Sequence, residues 1–117
     1  MVPKSDGTLR LCTDFRKVND VTVPDPFPLP RVEDLLDRVG EARYLTKLDM
    51  TRGYWQVPLD EESAPISAFV TPFDHYQWRY MPFGLRNAPA DFSRIVVKLL
   101  RGLDDFSGAN LDDIMTF

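Results

Sequence analysis

The chain has 117 residues, 44% of them hydrophobic and 12% aromatic, which suits one globular domain with a real core and excludes a wholly disordered polypeptide. Its net charge of -4 argues against a free-standing nucleic-acid binder, since such domains are usually basic. A single Cys12 rules out an internal disulfide, no signal-peptide pattern is present, and no apolar run reaches the ~20 residues of a membrane helix. A soluble intracellular protein with no membrane partner is expected. Charge is segregated, with residues 1–17 at net +2 and the remainder at net -6, so anion-binding and cation-binding groups can occupy different regions.

In chain order, residues 1–20 predict a small basic hairpin, with Leu9 to Phe15 as its better strand and Ser5-Asp6-Gly7-Thr8 as its turn. Pro24, Pro26, Pro28 and Pro30 fix φ and remove N–H donors, so residues 20–30 read as an extended connector. Val32, Leu35, Leu36 and Val39 recur at helical spacing behind Glu33 and Asp34, which predicts a helix over 31–39 with Gly40 just past its end. Tyr44 to Met50 reads as a strand that delivers Asp49 to its C-terminal end, before the turn Thr51-Arg52-Gly53.

Ile66 to Thr71 and Tyr76 to Met81 predict a second hairpin, with the lone His75 in its turn as a surface residue. Met81-Pro82-Phe83-Gly84-Leu85 reads as a rigid loop, and Asn87 with Pro89 starts a helix. Within that helix Phe92, Ile95, Val96, Leu99, Leu100 and Leu103 form one apolar stripe, expected to be buried throughout.

The chain ends in Asn110-Leu111-Asp112-Asp113-Ile114-Met115-Thr116-Phe117, where two carboxylates stand in a strand-like run. An ionised carboxylate among apolar neighbours must be solvated, paired or metal-bound. From these residues alone a turn and a cation site are both open. Helices alternating with mostly antiparallel strands give an α+β fold. If the strand ending at Asp49 pairs with the one carrying Asp112 and Asp113, the carboxylates converge at one end of a sheet.

Three ordered motifs carry a resemblance: Leu48-Asp49-Met50 with Gly53-Tyr54, then Met81 to Leu85 with Asn87-Ala88-Pro89, then Leu111-Asp112-Asp113-Ile114. Together they resemble reverse transcriptase over essentially the whole chain. Phe27-Pro28-Leu29-Pro30-Arg31 and the stretch from Met81 to Pro89 are similar to the polymerases of Gypsy-type LTR retrotransposons. The resemblance implies the fingers and palm of a right-hand polymerase, a mostly antiparallel sheet with helices packed on one face. Fingers would be about 1–27 and 64–81, palm about 28–63 and 82–117, with thumb, connection and ribonuclease H absent.

By the same resemblance Asp49 and Asp112 would be the principal catalytic metal ligands, with Asp113 a third carboxylate at the site, for two Mg²⁺ ions with Mn²⁺ as a possible substitute. Arg10 would grip the incoming triphosphate, Tyr54 would crowd the sugar 2′ position, and Phe83 and Gly84 would line the nucleotide pocket. The implied partners are an RNA or DNA template with its primer, deoxynucleoside triphosphates, and the remaining polymerase subdomains. Three features depart from the family pattern: Asn110 replaces a tyrosine, Thr116 an apolar residue, and Pro65-Ile66 a basic approach to the next strand. With a missing partner strand beside the aspartates also expected, the chain reads as a polymerase fragment weak or inactive alone. The alternative is a decayed retroelement remnant that binds nucleic acid or protein without catalysis.

Overall fold

The structure, a computed structural model, describes residues 2–3, 7–40 and 42–117, and only the backbone of Arg10. Among the described residues it is α+β, with small antiparallel sheets and three α-helices. The chain divides into two compact units, Met1–Pro24 with Tyr54–Ala88, and Asp25–Gly53 with Pro89–Phe117.

In the first unit β1 (Val2–Pro3) pairs antiparallel with β2 (Leu9–Arg10); Ser5 and Asp6 of the expected turn lie outside the described residues. The strand expected to run to Phe15 stops at Arg10, and helix α1 (Arg16–Val21) follows, an element absent from the sequence reading. Asp14 explains the switch. Its carboxylate accepts the Arg16 backbone N–H at 3.1 Å and the Arg16 guanidinium at 2.6 to 3.1 Å, a local bond that competes with strand pairing.

The Arg16 side chain first, and its backbone N–H second, hold the Asp14 carboxyl down from 3.8 to about 2. Because the folded value is depressed, the pair's contribution is complete above about pH 4 and disappears as pH falls through about 2. Following the Asp14 carboxyl carbon by NMR should give a midpoint near 2 that Arg16→Ala returns to the ordinary carboxylate range. Both partners are exposed, so the accompanying change in stability is small.

The second expected hairpin is shorter and shifted. Ala64–Ser67 is a 3-10 turn, because Pro65 cannot donate to a ladder and Ser67 Oγ bonds back to the Ala64 carbonyl at 2.6 Å. Only β4 (Phe69–Val70) and β5 (His75–Tyr76) pair, so exposed His75 is a strand residue and not a turn residue. Phe15, Met81 and Pro82 are buried in this unit.

The connector expected over 20–30 starts later, since Asp20 and Val21 close α1, and residues 23–30 have no regular structure; the second unit opens within it, at Asp25. Arg94 bonds the carboxylates of Asp25 and Asp91, and its guanidinium lies 4.8 Å from the Phe27 ring centre. The connector is thus tied to helix α3 (Ala88–Leu99). Arg94 first, then the Phe27 N–H, pulls the Asp25 carboxyl below its usual range. Helix α2 is Val32–Val39 with Leu35 buried. Gly40 ends it in right-handed geometry at φ -59°, not in the left-handed cap that a terminal glycine suggests.

The α3 stripe is only partly buried. Phe92 and Val96 are 1% and 2% exposed, whereas Ile95, Leu99 and Leu103 are 43%, 62% and 40% exposed. The residues 88, 92, 96 and 100 lie along one i+4 row and 95 and 99 along its neighbour, so the sequence stripe was two rows, of which one faces inward.

Three strands complete the unit in the order β3-β7-β6: β3 (Thr46–Asp49), β6 (Ser107–Asn110) and β7 (Asp113–Thr116). The expectation that the aspartate strand lacks a partner is overturned, since β7 is central and paired on both sides. Strand β6 was hidden in sequence because Ser107-Gly108-Ala109-Asn110 has no alternation of apolar residues. Glycine at 108 has a packing reason. A Cβ there would run into Leu35 Cδ1 and stand 3.3 Å from Arg38 Nη1. Arg38 in turn donates to the carbonyls of Asp104 and Ser107. Gly108→Ala should therefore cost about 1–3 kcal/mol by overpacking, read as a lower urea midpoint at unchanged slope.

Candidate active site

Alternation along β3 puts Lys47 and Asp49 on one face. The register sets Asp49 opposite Asp113 and Leu48 opposite Ile114, and directly opposed residues share a face. Asp49 and Asp113 therefore converge at one end of the three-stranded sheet. Asp112 is not in a strand. With Leu111 it forms the two-residue loop between β6 and β7, so Asp112 stands in a turn and Asp113 opens a strand.

The loop is held by Met50 N–H, which donates to the Asp112 carbonyl at 2.8 Å. Leu111 takes φ +55°, the positive value that a two-residue hairpin loop requires and that leucine rarely adopts. Gly53, at φ +44°, lies under the aspartate; a Cβ there would stand 3.5 Å from Asp112 Oδ2. Asp112 is exposed, and Asp113 is half-buried and paired with Lys47 Nζ at 3.0 Å.

All three carboxylates supply hard oxygen donors, the chemistry that Mg²⁺ or Mn²⁺ requires. Among the described residues no three His, Cys, Asp or Glu side chains stand close enough to form a metal group. A closed cage is not needed for magnesium, which is commonly held by one or two carboxylates together with substrate phosphates. With Asp113 engaged by Lys47, Asp49 and Asp112 are the pair suited to that part.

The residues expected to meet a nucleotide lie in the first unit. Tyr54 begins the stretch Tyr54–Ala88 of that unit, within a 3-10 turn at Gly53–Gln56, and its ring centre is 5.2 Å from that of Phe83. Trp55 meets Phe83 edge-on at 5.7 Å and stacks with Trp78 at 6.3 Å. Trp78 Nε1 donates to Thr13 Oγ1. Tyr54 thus belongs to an aromatic cluster, half-buried, with the packing and the pocket readings sharing one residue. Gly84 takes φ +97°, and a Cβ there would stand 3.6 Å from Phe15 Cδ2. Arg10 has its backbone in β2, and its side chain lies outside the described residues.

A family profile described as reverse transcriptase (RNA-dependent DNA polymerase) matches residues 2–117. The chain belongs to the reverse transcriptase family. It is 42% identical over 109 residues to the retrovirus-related Pol polyprotein from transposon 297 of Drosophila melanogaster, covering 92% of this chain and 10% of that protein. It is 40% identical to an RNA-directed DNA polymerase homolog of Oenothera berteroana, over 94% of this chain and 78% of that protein. Among solved structures, a foamy viral protease-reverse transcriptase in complex with double-stranded DNA superposes with TM-score 0.90 at 29% identity, covering 99% of this chain and 20% of that one. The Prototype Foamy Virus Protease-Reverse Transcriptase superposes at 0.84 with 33% identity, over 99% and 16%. This reverse transcriptase chain therefore spans about a tenth of the transposon polyprotein and about a fifth or less of these two solved chains.

Two residues that the motifs of the family do not name stand beside the named ones. Lys47 is legible from sequence by counting two back from Asp49 along a strand. Asn19, which bonds the loop carrying Gly84, is not, because 65 residues separate the partners.

Proposed function

We propose that the chain is the fingers and palm portion of an RNA-directed DNA polymerase that extends a primer 3′-hydroxyl with deoxynucleoside triphosphates. The observation that carries this reading is the register of Asp49 against Asp113, with Asp112 in the adjoining loop, in a chain of the reverse transcriptase family. Fingers are assigned to about 1–27 and 64–81, and palm to about 28–63 and 82–117. Asp49 and Asp112 are assigned as metal ligands, with Asp113 as a third carboxylate held by Lys47. Two Mg²⁺ ions bound there would lower the pKa of the primer hydroxyl and stabilise the leaving pyrophosphate.

Arg10, by its motif position, grips the triphosphate, for which a planar, always-charged guanidinium is suited. Tyr54 crowds the sugar 2′ position, and Phe83 with Gly84 lines the base and sugar side of the pocket. A template and primer duplex as partner is supported by the neighbours solved with double-stranded DNA and with RNA/DNA hybrid. A Gypsy-type LTR retrotransposon lineage is supported by Phe27 to Arg31 and by the likeness to Pol polyproteins of two Drosophila transposons.

The test is extension of a primer on an RNA template, with Mg²⁺ required and EDTA abolishing the product. A product that persists in EDTA would sink the reading. Asn110, on β6 directly opposite Asp113, favours a second reading, a non-catalytic remnant that binds nucleic acid. That reading predicts duplex binding without extension, and no gain of activity from Asn110→Tyr in a complete polymerase.

A further inference from the structure

We propose that Asn19 is a positioning residue for the nucleotide pocket, acting through the loop that carries Phe83 and Gly84; the inference rests on the nucleotide reading of those two residues given above. Asn19 lies in α1 and is half-buried. Its Nδ2 donates to the Gly84 carbonyl at 2.8 Å, and its Oδ1 accepts the Arg86 backbone N–H at 2.8 Å. Its own carbonyl accepts Arg86 Nη1 at 3.2 Å.

Both ends of one short amide are therefore committed to the same three-residue stretch of backbone. The orientation of the amide is fixed by chemistry, because a flip would set donor against donor and acceptor against acceptor. No other short side chain carries a donor and an acceptor on one planar group. Aspartate keeps the shape but faces the Gly84 carbonyl with a carboxylate oxygen, and alanine removes both bonds.

The clamped stretch needs holding. Gly84 sits at φ +97°, a region whose alternatives are equally open to glycine, so glycine alone does not choose it. Phe83 immediately precedes it, with its ring against Tyr54 at 5.2 Å and Trp55 at 5.7 Å. Fixing the carbonyl of Gly84 and the N–H of Arg86 thus fixes where the chain leaves Phe83, and with it the Tyr54–Phe83 spacing. Helix α1 is a firm base for the clamp: Phe15, the residue before it, is buried, and Asn19 N–H donates to the Phe15 carbonyl at 2.8 Å. If Tyr54 excludes the ribose 2′-hydroxyl, the discrimination depends on that spacing, and displacements near 1 Å at such a site can cost ~100-fold.

The test compares the wild-type chain with Asn19→Asp and Asn19→Ala. Tryptophan fluorescence, reporting through Trp55, gives the affinities for dGTP and GTP in Mg²⁺. Amide exchange at Arg86 reports the clamp itself, and circular dichroism reports folding. The expected result is exchange at Arg86 faster by about tenfold or more in Asn19→Ala, which removes the acceptor of that N–H, with the preference for dGTP over GTP falling at least about fivefold in both variants while the fold is retained. Faster exchange with an unchanged dGTP to GTP preference would overturn the proposal and leave Asn19 a structural residue only. Unchanged exchange in Asn19→Ala would overturn it at its first step. A wild-type chain that gives no response to either nucleotide would instead remove the pocket reading of Tyr54 and Phe83, and the proposal with it. That failure is recognisable because it occurs before any substitution. Asn19→Asp, nearly isosteric and lacking only the donor to the Gly84 carbonyl, keeps the dGTP and GTP comparison available if the alanine variant does not fold, and an unchanged preference there would likewise overturn the proposal.

Discussion

Asp112→Ala is expected to lower single-nucleotide incorporation by about a thousandfold or more, measured with Mg²⁺ on an RNA template. The magnitude follows from the several kcal/mol by which a bound divalent ion stabilises developing charge, at one decade of rate for each 1.4 kcal/mol. The loss should be chemical and not structural. Asp112 is exposed, it lies in a loop, and the bond from Met50 goes to its backbone carbonyl, which alanine retains. Thermal unfolding of the variant should therefore match the wild type. A parallel titration with Mn²⁺, followed by its paramagnetic signal, should show weakened binding in Asp112→Ala and in Asp49→Ala. Retention of more than a tenth of the incorporation rate would contradict the assignment. Where the isolated chain is too slow to measure, the comparison is made in a complete polymerase carrying this segment.

Phe92→Ala is expected to be the most damaging single substitution for folding. Phe92 is 1% exposed and, with Pro82, is the largest fully buried side chain among the described residues. Removing a buried phenyl ring forfeits its transfer free energy and leaves a cavity, together about 3–5 kcal/mol. Against the 5–15 kcal/mol that holds a typical domain together, such a loss leaves little margin. Equilibrium urea unfolding should show the midpoint moving toward zero with the slope preserved. By contrast Leu99→Ala, on the same helix but 62% exposed, should change stability by well under about 1 kcal/mol. The pair separates the two apolar rows of α3, and equal effects at both positions would show that the outer row is covered in solution.

Much of the framework was legible in the sequence wherever one physical signal dominated. The proline connector, α2 and α3 each rest on strong local chemistry, and their boundaries fall within a few residues of expectation. Asp49 opposite Asp113 was also reachable, because two strands that each carry a carboxylate at one end can bury their apolar neighbours together in few ways. The failures have a common cause. Helix α1 depends on Asp14 turning back onto Arg16, β6 is a strand because its neighbours supply a ladder, and the 3-10 turn at Ala64–Ser67 depends on Pro65 and the Ser67 hydroxyl. None of these leaves a periodic trace in the residues themselves. The site shows the same division: its carboxylates announce themselves by type and spacing, whereas Asn19 acts through partners 65 and 67 positions away.

The loop of only Leu111 and Asp112 between two paired strands makes the end of the chain unusually sensitive to length. Side chains alternate across a sheet with period two, so a register slip of one residue exchanges the two faces. Gain or loss of one codon between Asn110 and Asp113 either redraws the loop around Asp112 or slides β7 against β3. A slide would turn Asp113 away from Asp49 and bring Ile114 in its place. Point substitutions along these strands can accumulate while the carboxylates stay together, but a single in-frame insertion separates them without touching an aspartate. In an inherited copy of this gene, the length of that hairpin is a more sensitive record of whether these carboxylates were kept together than the identity of any one of its other residues.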